Sequence, residues 1–208
     1  MSDEDVIREA LRLYGRYAEE FVEALHLCPW AASARRSGAA DVRVLLEERP
    51  GSATDAVLAD AAPALDVLIL VYPRARAERR PWEREVAAVR ERLGKTPAFA
   101  LAAFHPDARP DPSTPARLVP FVRKSPDPTI QAIRFRALDA VRKRDDAGSR
   151  FVDPATVDLG TLLSGPPPAP PLHERVAAKN LAILRELGLG EAERILAAIH
   201  ADRSRSYP

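Results

Sequence analysis

The chain has 208 residues, of which 46% are hydrophobic and 29% charged, so it can form one globular domain and is too apolar for wholesale disorder. Its formal net charge is +1, which gives no global electrostatic reason to expect nucleic acid or an anionic membrane as a partner. A single cysteine excludes an intrachain disulfide, the N-terminus lacks a secretory pattern, and no apolar run approaches the roughly 20 residues of a membrane span, so we expect a cytoplasmic protein.

The first half of the chain has the pattern of helices alternating with strands. Apolar spacing predicts helices over residues 3–26, 30–36, 52–65 and 81–93. Apolar runs predict strands at residues 42–46, 67–71 and 98–104. The run Val67-Leu68-Ile69-Leu70-Val71 is continuously apolar, as in a sheet covered on both faces. We therefore predict an α/β fold, in which a small, largely parallel β-sheet is flanked by helices, with extra N-terminal and C-terminal helices.

The sequence pattern in the second half of the chain predicts helices joined by proline-rich segments. Residues 108–122 are typical of an ordered loop or lid, and a helix is predicted over 128–144. Two final helices are predicted at 172–187 and 191–201. The predicted organisation is a single domain with an α/β core (1–144), a proline-rich connector (145–171) that tolerates shortening, and a C-terminal helical pair packed on the core (172–208).

The first of three motifs is Leu27-Cys28-Pro29-Trp30, at the end of a predicted helix. Cys28 is a candidate nucleophile or ligand if a nearby cation, helix N-terminus or metal favours the thiolate. The alternative is a buried cysteine that packs as a small hydrophobe. A Cys-Pro dipeptide also occurs at haem thiolate sites, but one dipeptide is a weak signal.

The second motif, Phe104-His105-Pro106-Asp107, follows a predicted buried strand. In α/β sheets the crevice beyond the carboxyl ends of the strands is the usual ligand site, so His105 is a candidate general acid or base with Asp107 orienting it. The alternative is a histidine that hydrogen-bonds the backbone of its own turn.

The third motif runs from Arg123 to Pro128 and enters a predicted helix. A helix N-terminus with Arg123 and Lys124 beside it predicts a docking site for a phosphate or carboxylate. Pro126 and Pro128 lack the N–H groups that such a site uses, so a capped helix entrance is the alternative.

No cofactor or metal is assigned by the sequence. Its cysteine and histidines show no paired ligand spacing, so we assign no metal ligands, and metal binding stays open without support from the sequence. There is also no glycine-rich phosphate loop, no Gly-x-Ser-x-Gly elbow and no dinucleotide fingerprint. The cofactor and the oligomeric state therefore stay open.

In their order along most of the chain, these motifs resemble a bacterial family, domain-of-unknown-function family 1415, with its Leu-Cys-Pro-Phe, Phe-His-Pro-Asp and Arg-Ser-Pro-x-Pro-Thr segments. This chain departs from the pattern with Trp30 for phenylalanine, Arg123-Lys124 for Asn-Arg, Asp127 for an aromatic residue and Gln131 for an expected histidine. The resemblance implies no activity. It implies a shared constellation of Cys28, His105, Asp107, Ser125 and Arg134, with Asn180 as an outer member.

The leading hypothesis is an enzyme that acts on a small anionic metabolite at a Cys/His/Asp site. Lys124 and Arg134, with Arg123, would hold the charge of the substrate, His105 would transfer protons and Cys28 would be the nucleophile. A non-catalytic protein that binds a small ligand or a metal is the competing class. A third hypothesis is that the motifs are structural turns and caps.

Overall fold

The structure, a computed structural model, describes residues 1–94, 98–146 and 170–207 as one four-stranded sheet with helices on both faces. The strands are β1 (Ala40–Val44), β2 (Val67–Val71), β3 (Phe99–Phe104) and β4 (Thr129–Arg134). In the same part of the chain the helices are α1 (Asp3–Arg16), a π-helix (Tyr17–Glu23), α2 (Ala31–Arg36), α3 (Ser52–Ala59), α4 (Arg79–Arg92), α5 (Pro115–Val122), α6 (Phe135–Asp146), α7 (Leu172–Leu187) and α8 (Leu189–Ser206). The predicted α/β class is confirmed. The predicted connector at 145–171 lies almost wholly outside the described residues.

The prediction of a largely parallel sheet is wrong. The strand order is β1-β2-β4-β3, with β1 parallel to β2 and β4 antiparallel to both of its neighbours. Strands β1, β2 and β3 do share one direction. However, β4 lies between β2 and β3, so the expected parallel pairing of β2 with β3 is replaced by two antiparallel pairings with β4. As a result, the carboxyl ends of β1, β2 and β3 and the start of β4 lie at one edge of the sheet.

The strand β4 was not predicted because its sequence also fits a helix. Ile130, Ile133 and Ala137 recur at helical spacing, and this favours one continuous helix over 128–144. In the structure residues 129–134 are extended, and Ile130 and Ala132 are fully buried on one face of the sheet. Residues distant in sequence decide this outcome, because the ladders to β2 and β3 satisfy the backbone on both sides.

The predicted loop at 108–122 contains helix α5. The side chain of Thr114 caps this helix by accepting from the N–H of Arg117 at 3.3 Å, and Pro115 occupies the first turn, where a missing N–H is harmless. Pro120 lies inside the helix, yet Leu118 and Phe121 are buried in the core. Burial of this apolar face therefore outweighs the single lost hydrogen bond.

The sheet has a separate apolar core on each face. On one face Ile69, Val71 and Phe104 pack with residues of α1, the π-helix, α5, α7 and α8. On the other face Leu68 and Leu70 pack with Trp82 and other residues of α4. Burial of β2 on both faces agrees with its unbroken apolar sequence. Within residues 1–94, 98–146 and 170–207, no helix is long and apolar enough to cross a membrane.

Candidate functional site

Two of the three motifs meet at the edge of the sheet where β2 and β3 end. The N–H of His105 donates to the carbonyl of Arg123 at 3.0 Å, and the N–H of Tyr72 donates to the carbonyl of Pro128 at 2.9 Å. These bonds continue the β3–β4 and β2–β4 contacts beyond the strands. The His105 turn and the segment before β4 are therefore held together by backbone.

A cleft of about 280 Å³ opens at this edge, and we call it the sheet-edge cleft. Its walls are residues 75–77, 105–107 and 126–128, together with His200, Arg203 and Ser204 of α8. Drug-sized ligands occupy pockets of about 300–1,000 Å³, so this cleft suits a smaller metabolite. Its position agrees with the usual place of ligands in α/β folds.

His105 is a rigid part of the cleft wall. It is only 4% exposed, its Nε2 is 2.9 Å from the carbonyl of Ala77, and its Nδ1 accepts from the N–H of Asp107 at 3.1 Å. Because Nδ1 accepts, the proton lies on Nε2 and is donated to Ala77. The Asp107 carboxylate is 3.8 Å from Nδ1 and 74% exposed, so it reaches the solvent rather than the imidazole. Both ring nitrogens are thus engaged by backbone.

A buried ionic cluster fixes the end of α8 to the wall of the cleft. The carboxylate of Asp127, 0% exposed, accepts from Arg203 Nε at 3.0 Å and from the hydroxyl of Tyr207 through a short hydrogen bond. Arg203 also donates to the carbonyls of Tyr207 and Pro73, at 3.0 and 3.2 Å, and stacks on the Tyr207 ring. Burial, and then the charge of Asp127, raises the pKa of Tyr207, so the phenol remains a donor. The polar side chains of Asp127, Arg203 and Tyr207 therefore all have hydrogen-bond partners within this cluster.

His200 is the least satisfied polar group in the cleft. Its Nε2 is shielded from solvent and has no hydrogen-bond partner among the residues that the structure describes. Burial, and then the positive charge of Lys124, lowers the pKa of His200 to about 4, although the Lys124 backbone and the Asp107 charge oppose this. The imidazole is therefore neutral at pH 7.

Cys28 is not among the residues that line the sheet-edge cleft, although it lies within electrostatic range of Arg123. Burial raises the pKa of the thiol, and backbone N–H groups of Trp30 and Ala31 and the charge of Arg123 only partly offset this. Cys28 is thus a protonated thiol at neutral pH, which does not favour a nucleophile. No hydrogen bond joins its Sγ to the His105 imidazole in the described structure.

Arg123 and Lys124 point to different surroundings. The guanidinium of Arg123 lies 5.7 Å from the centre of the Phe104 ring, and burial lowers its pKa. Arg123, Glu83 and His105 are among the residues that line a small second depression. Lys124 instead lies within electrostatic range of His200. Among the described residues it forms no ion pair.

The remaining predicted site residues are not at the cleft. Arg134 is at the far end of β4, about 17 Å of strand from Thr129, where it donates to the carbonyls of Leu65, Ala61 and Ala62. The hydroxyl of Ser125 donates to the carbonyl of Asp127 at 2.6 Å and shapes the turn before β4. Asn180 is buried in α7, and its Oδ1 has no hydrogen-bond partner within the described ranges.

Helix α8 contributes residues to the cleft that are not among the predicted site residues. His200, Arg203, Ser204 and Tyr207 follow the i, i+3, i+4, i+7 spacing of one helical face. A polar face of this kind next to a predicted core helix is the signal that was available. It was overlooked because the last helix was predicted to end at residue 201, whereas α8 continues to Ser206.

In the described part of the chain, no group of three or more histidine, cysteine, aspartate or glutamate side chains could hold a metal ion. Comparison of the chain with protein-family models, with curated proteins and with solved structures gave no match. The resemblance to domain-of-unknown-function family 1415 stays a prediction. The function must therefore be inferred from the geometry of the cleft.

Proposed function

We propose that this protein is an enzyme that binds a small anionic metabolite in the sheet-edge cleft and acts on it by proton transfer. The observation that carries the proposal is the neutral imidazole of His200, which lines the cleft and has an unpartnered nitrogen in the described structure. Lys124 lies close enough to lower the pKa of His200, and the exposed carboxylate of Asp107 also lines the cleft. Together these groups supply a positive charge and two proton carriers.

The preference for an anion follows from the charges around the cleft. Two arginines, Arg76 and Arg203, and two aspartates, Asp107 and Asp127, line it, so their formal charges balance. Lys124 then adds a positive charge without a carboxylate partner in the described ranges. Because this charge acts on His200 in the wall of the cleft, it favours an anionic group near that residue.

A non-catalytic binding protein is the second candidate function. It is favoured by His105, whose two ring nitrogens are engaged by backbone, and by Cys28, whose thiol is protonated. In this candidate function His105 and Cys28 have structural roles and take no part in chemistry. Only the groups on the α8 side of the cleft are then left for chemistry.

Thermal unfolding with and without succinate, malate or phosphate tests the binding step. A ligand that binds the folded state raises the Tm by mass action, whereas sodium chloride of matched ionic strength should not. We expect Lys124→Met to reduce the ligand-induced shift. Lys179→Met, at an exposed position on α7, is the matched control and should leave the shift unchanged.

The same samples separate the enzyme from the binding protein. Incubation of each stabilising ligand in D₂O, followed by NMR of the ligand, would show exchange or conversion if protons are transferred. Binding without any change in the ligand would favour the non-catalytic protein. Absence of a shift beyond the chloride control, for all of the anions at millimolar concentration, would refute the anion site.

A further inference from the structure

The two imidazoles in the wall of the cleft differ in the hydrogen bonding of their ring nitrogens. His105 uses both nitrogens in hydrogen bonds to backbone, at 2.9 and 3.1 Å. The Nε2 of His200 has no partner among the described residues and is closed off from water. An unpaired buried polar atom destabilises the folded protein until a partner reaches it.

The charged groups that face His200 decide which partner fits. They come from several elements: Lys124 beside β4, Asp107 after β3, and Arg203 on α8 itself; Arg76 and Asp127 also line the cleft. The positive charges of Lys124 and Arg203 both lower the pKa of His200 and disfavour a further positive charge, which argues against a ligand ammonium group. The hydrogen bond to the Lys124 backbone raises the pKa of the imidazole, as a carbonyl that accepts from a ring N–H does, and Nε2 has no partner, so the proton lies on Nδ1. The Nε2 of the neutral ring is then an acceptor, and its partner must be a neutral donor.

The imidazole of His200 lines the sheet-edge cleft, while its Nε2 is shielded from solvent, so a ligand reaches this nitrogen only after the ring turns. The χ2 torsion of histidine is broad, so a partial rotation of the ring, limited by its hydrogen bond to the Lys124 backbone, would bring Nε2 toward the cleft. Its neighbours Arg203 and Ser204 line the same cleft, and Arg203 is held in place by Asp127. The wall that presents His200 is therefore fixed while the ring itself can adjust.

We infer that the metabolite in the sheet-edge cleft is a hydroxy acid, whose hydroxyl group donates to the imidazole of His200 while its anionic group lies toward Lys124. This inference rests on the proposed function and names its ligand class. The cleft of about 280 Å³ is consistent with a small acid.

Malate and succinate, which differ by one hydroxyl group, provide the test. Their dissociation constants should be measured by calorimetry at one pH and one ionic strength, with wild-type protein, His200→Phe and the control His173→Phe. His173 is exposed on α7. A hydroxyl that satisfies a buried acceptor should make malate bind about 5- to 150-fold more tightly than succinate.

The possible outcomes separate the ligand class from the anion site. We expect His200→Phe to bring malate to the affinity of succinate, while His173→Phe keeps the wild-type preference. Equal binding of the two acids by the wild-type protein would overturn the hydroxy-acid inference and leave the proposed anion site standing. A malate preference that survives in His200→Phe would also overturn it. Binding of neither acid would refute the proposed function as well. Because the two acids can be compared on wild-type protein alone, a variant that fails to fold does not prevent the test.

Discussion

Replacement of Arg203 by methionine tests the buried ionic cluster that holds α8 against the cleft. The variant removes the cation that lies 3.0 Å from the carboxylate of Asp127, whose side chain is 0% exposed. It also removes the donors to the carbonyls of Tyr207 and Pro73. Methionine keeps much of the apolar stem, so the main loss is electrostatic.

The expected loss is large because water cannot replace the missing partner. Removal of one member of a buried ion pair costs about 3–5 kcal/mol. For a chain of this size each kcal/mol corresponds to about 2–4 °C, so the Tm should fall by about 6–20 °C. The free energy of unfolding is measured by urea denaturation followed by circular dichroism, and by thermal melting.

Arg74→Met is the matched control for this experiment. Arg74 pairs with Asp3 at 2.6 Å, but the Asp3 side chain is 66% exposed, so the same substitution should cost only about 0–1 kcal/mol. If Arg203→Met is no more destabilising than Arg74→Met, the cluster does not fix α8 and our account of that wall of the cleft is refuted.

Three further predictions concern His200, Arg134 and Cys28. The pKa of His200 is lowered from 6.5 to about 4, so between these pH values the unfolded chain binds a proton that the folded protein does not. The free energy of unfolding should therefore fall by about 3 kcal/mol as the pH decreases from 6.5 to 4. Acid titration of His200→Phe should show a smaller decrease in the free energy of unfolding. Arg134→Ala should destabilise the protein by about 2–4 kcal/mol in urea, because it removes three carbonyl contacts and the stacking on Phe99, and malate affinity should not change. Cys28 should react with iodoacetamide at pH 7 more slowly than the unfolded chain does, because burial raises the pKa of its thiol; rapid alkylation of the folded protein would contradict this.

Local sequence signals were sufficient to predict much of the fold. The run from Val67 to Val71 predicts β2 at its observed bounds, because a strand buried on both faces needs an unbroken apolar sequence. Ser2 and Asp5 form a capping box at the start of α1, a contact between residues three apart. The positions of the Tyr72 and His105 turns at the ends of strands were also predictable, since they depend on local chain direction.

Long-range contacts decide what the sequence alone did not predict. The carbonyl partners of Arg134 lie about 70 residues before it in the chain, so a local pattern cannot distinguish this arginine from an anion-binding one. The same holds for Asp127, whose partners Arg203 and Tyr207 are 76 and 80 residues away. The helical spacing of residues 129–137 was a real signal, but pairing with β2 and β3 overrides it.

The most direct test of the central claim is an NMR titration of protein labelled with ¹⁵N at its histidines. The chain has four of them, His26, His105, His173 and His200, so each imidazole reports on a separate place. If the sheet-edge cleft is the ligand site, addition of malate should shift the ring nitrogens of His200 most, those of His105 less, and those of His26 and His173 not at all. If His200 is unaffected at saturating malate, or if His26 or His173 responds instead, the cleft is not the binding site.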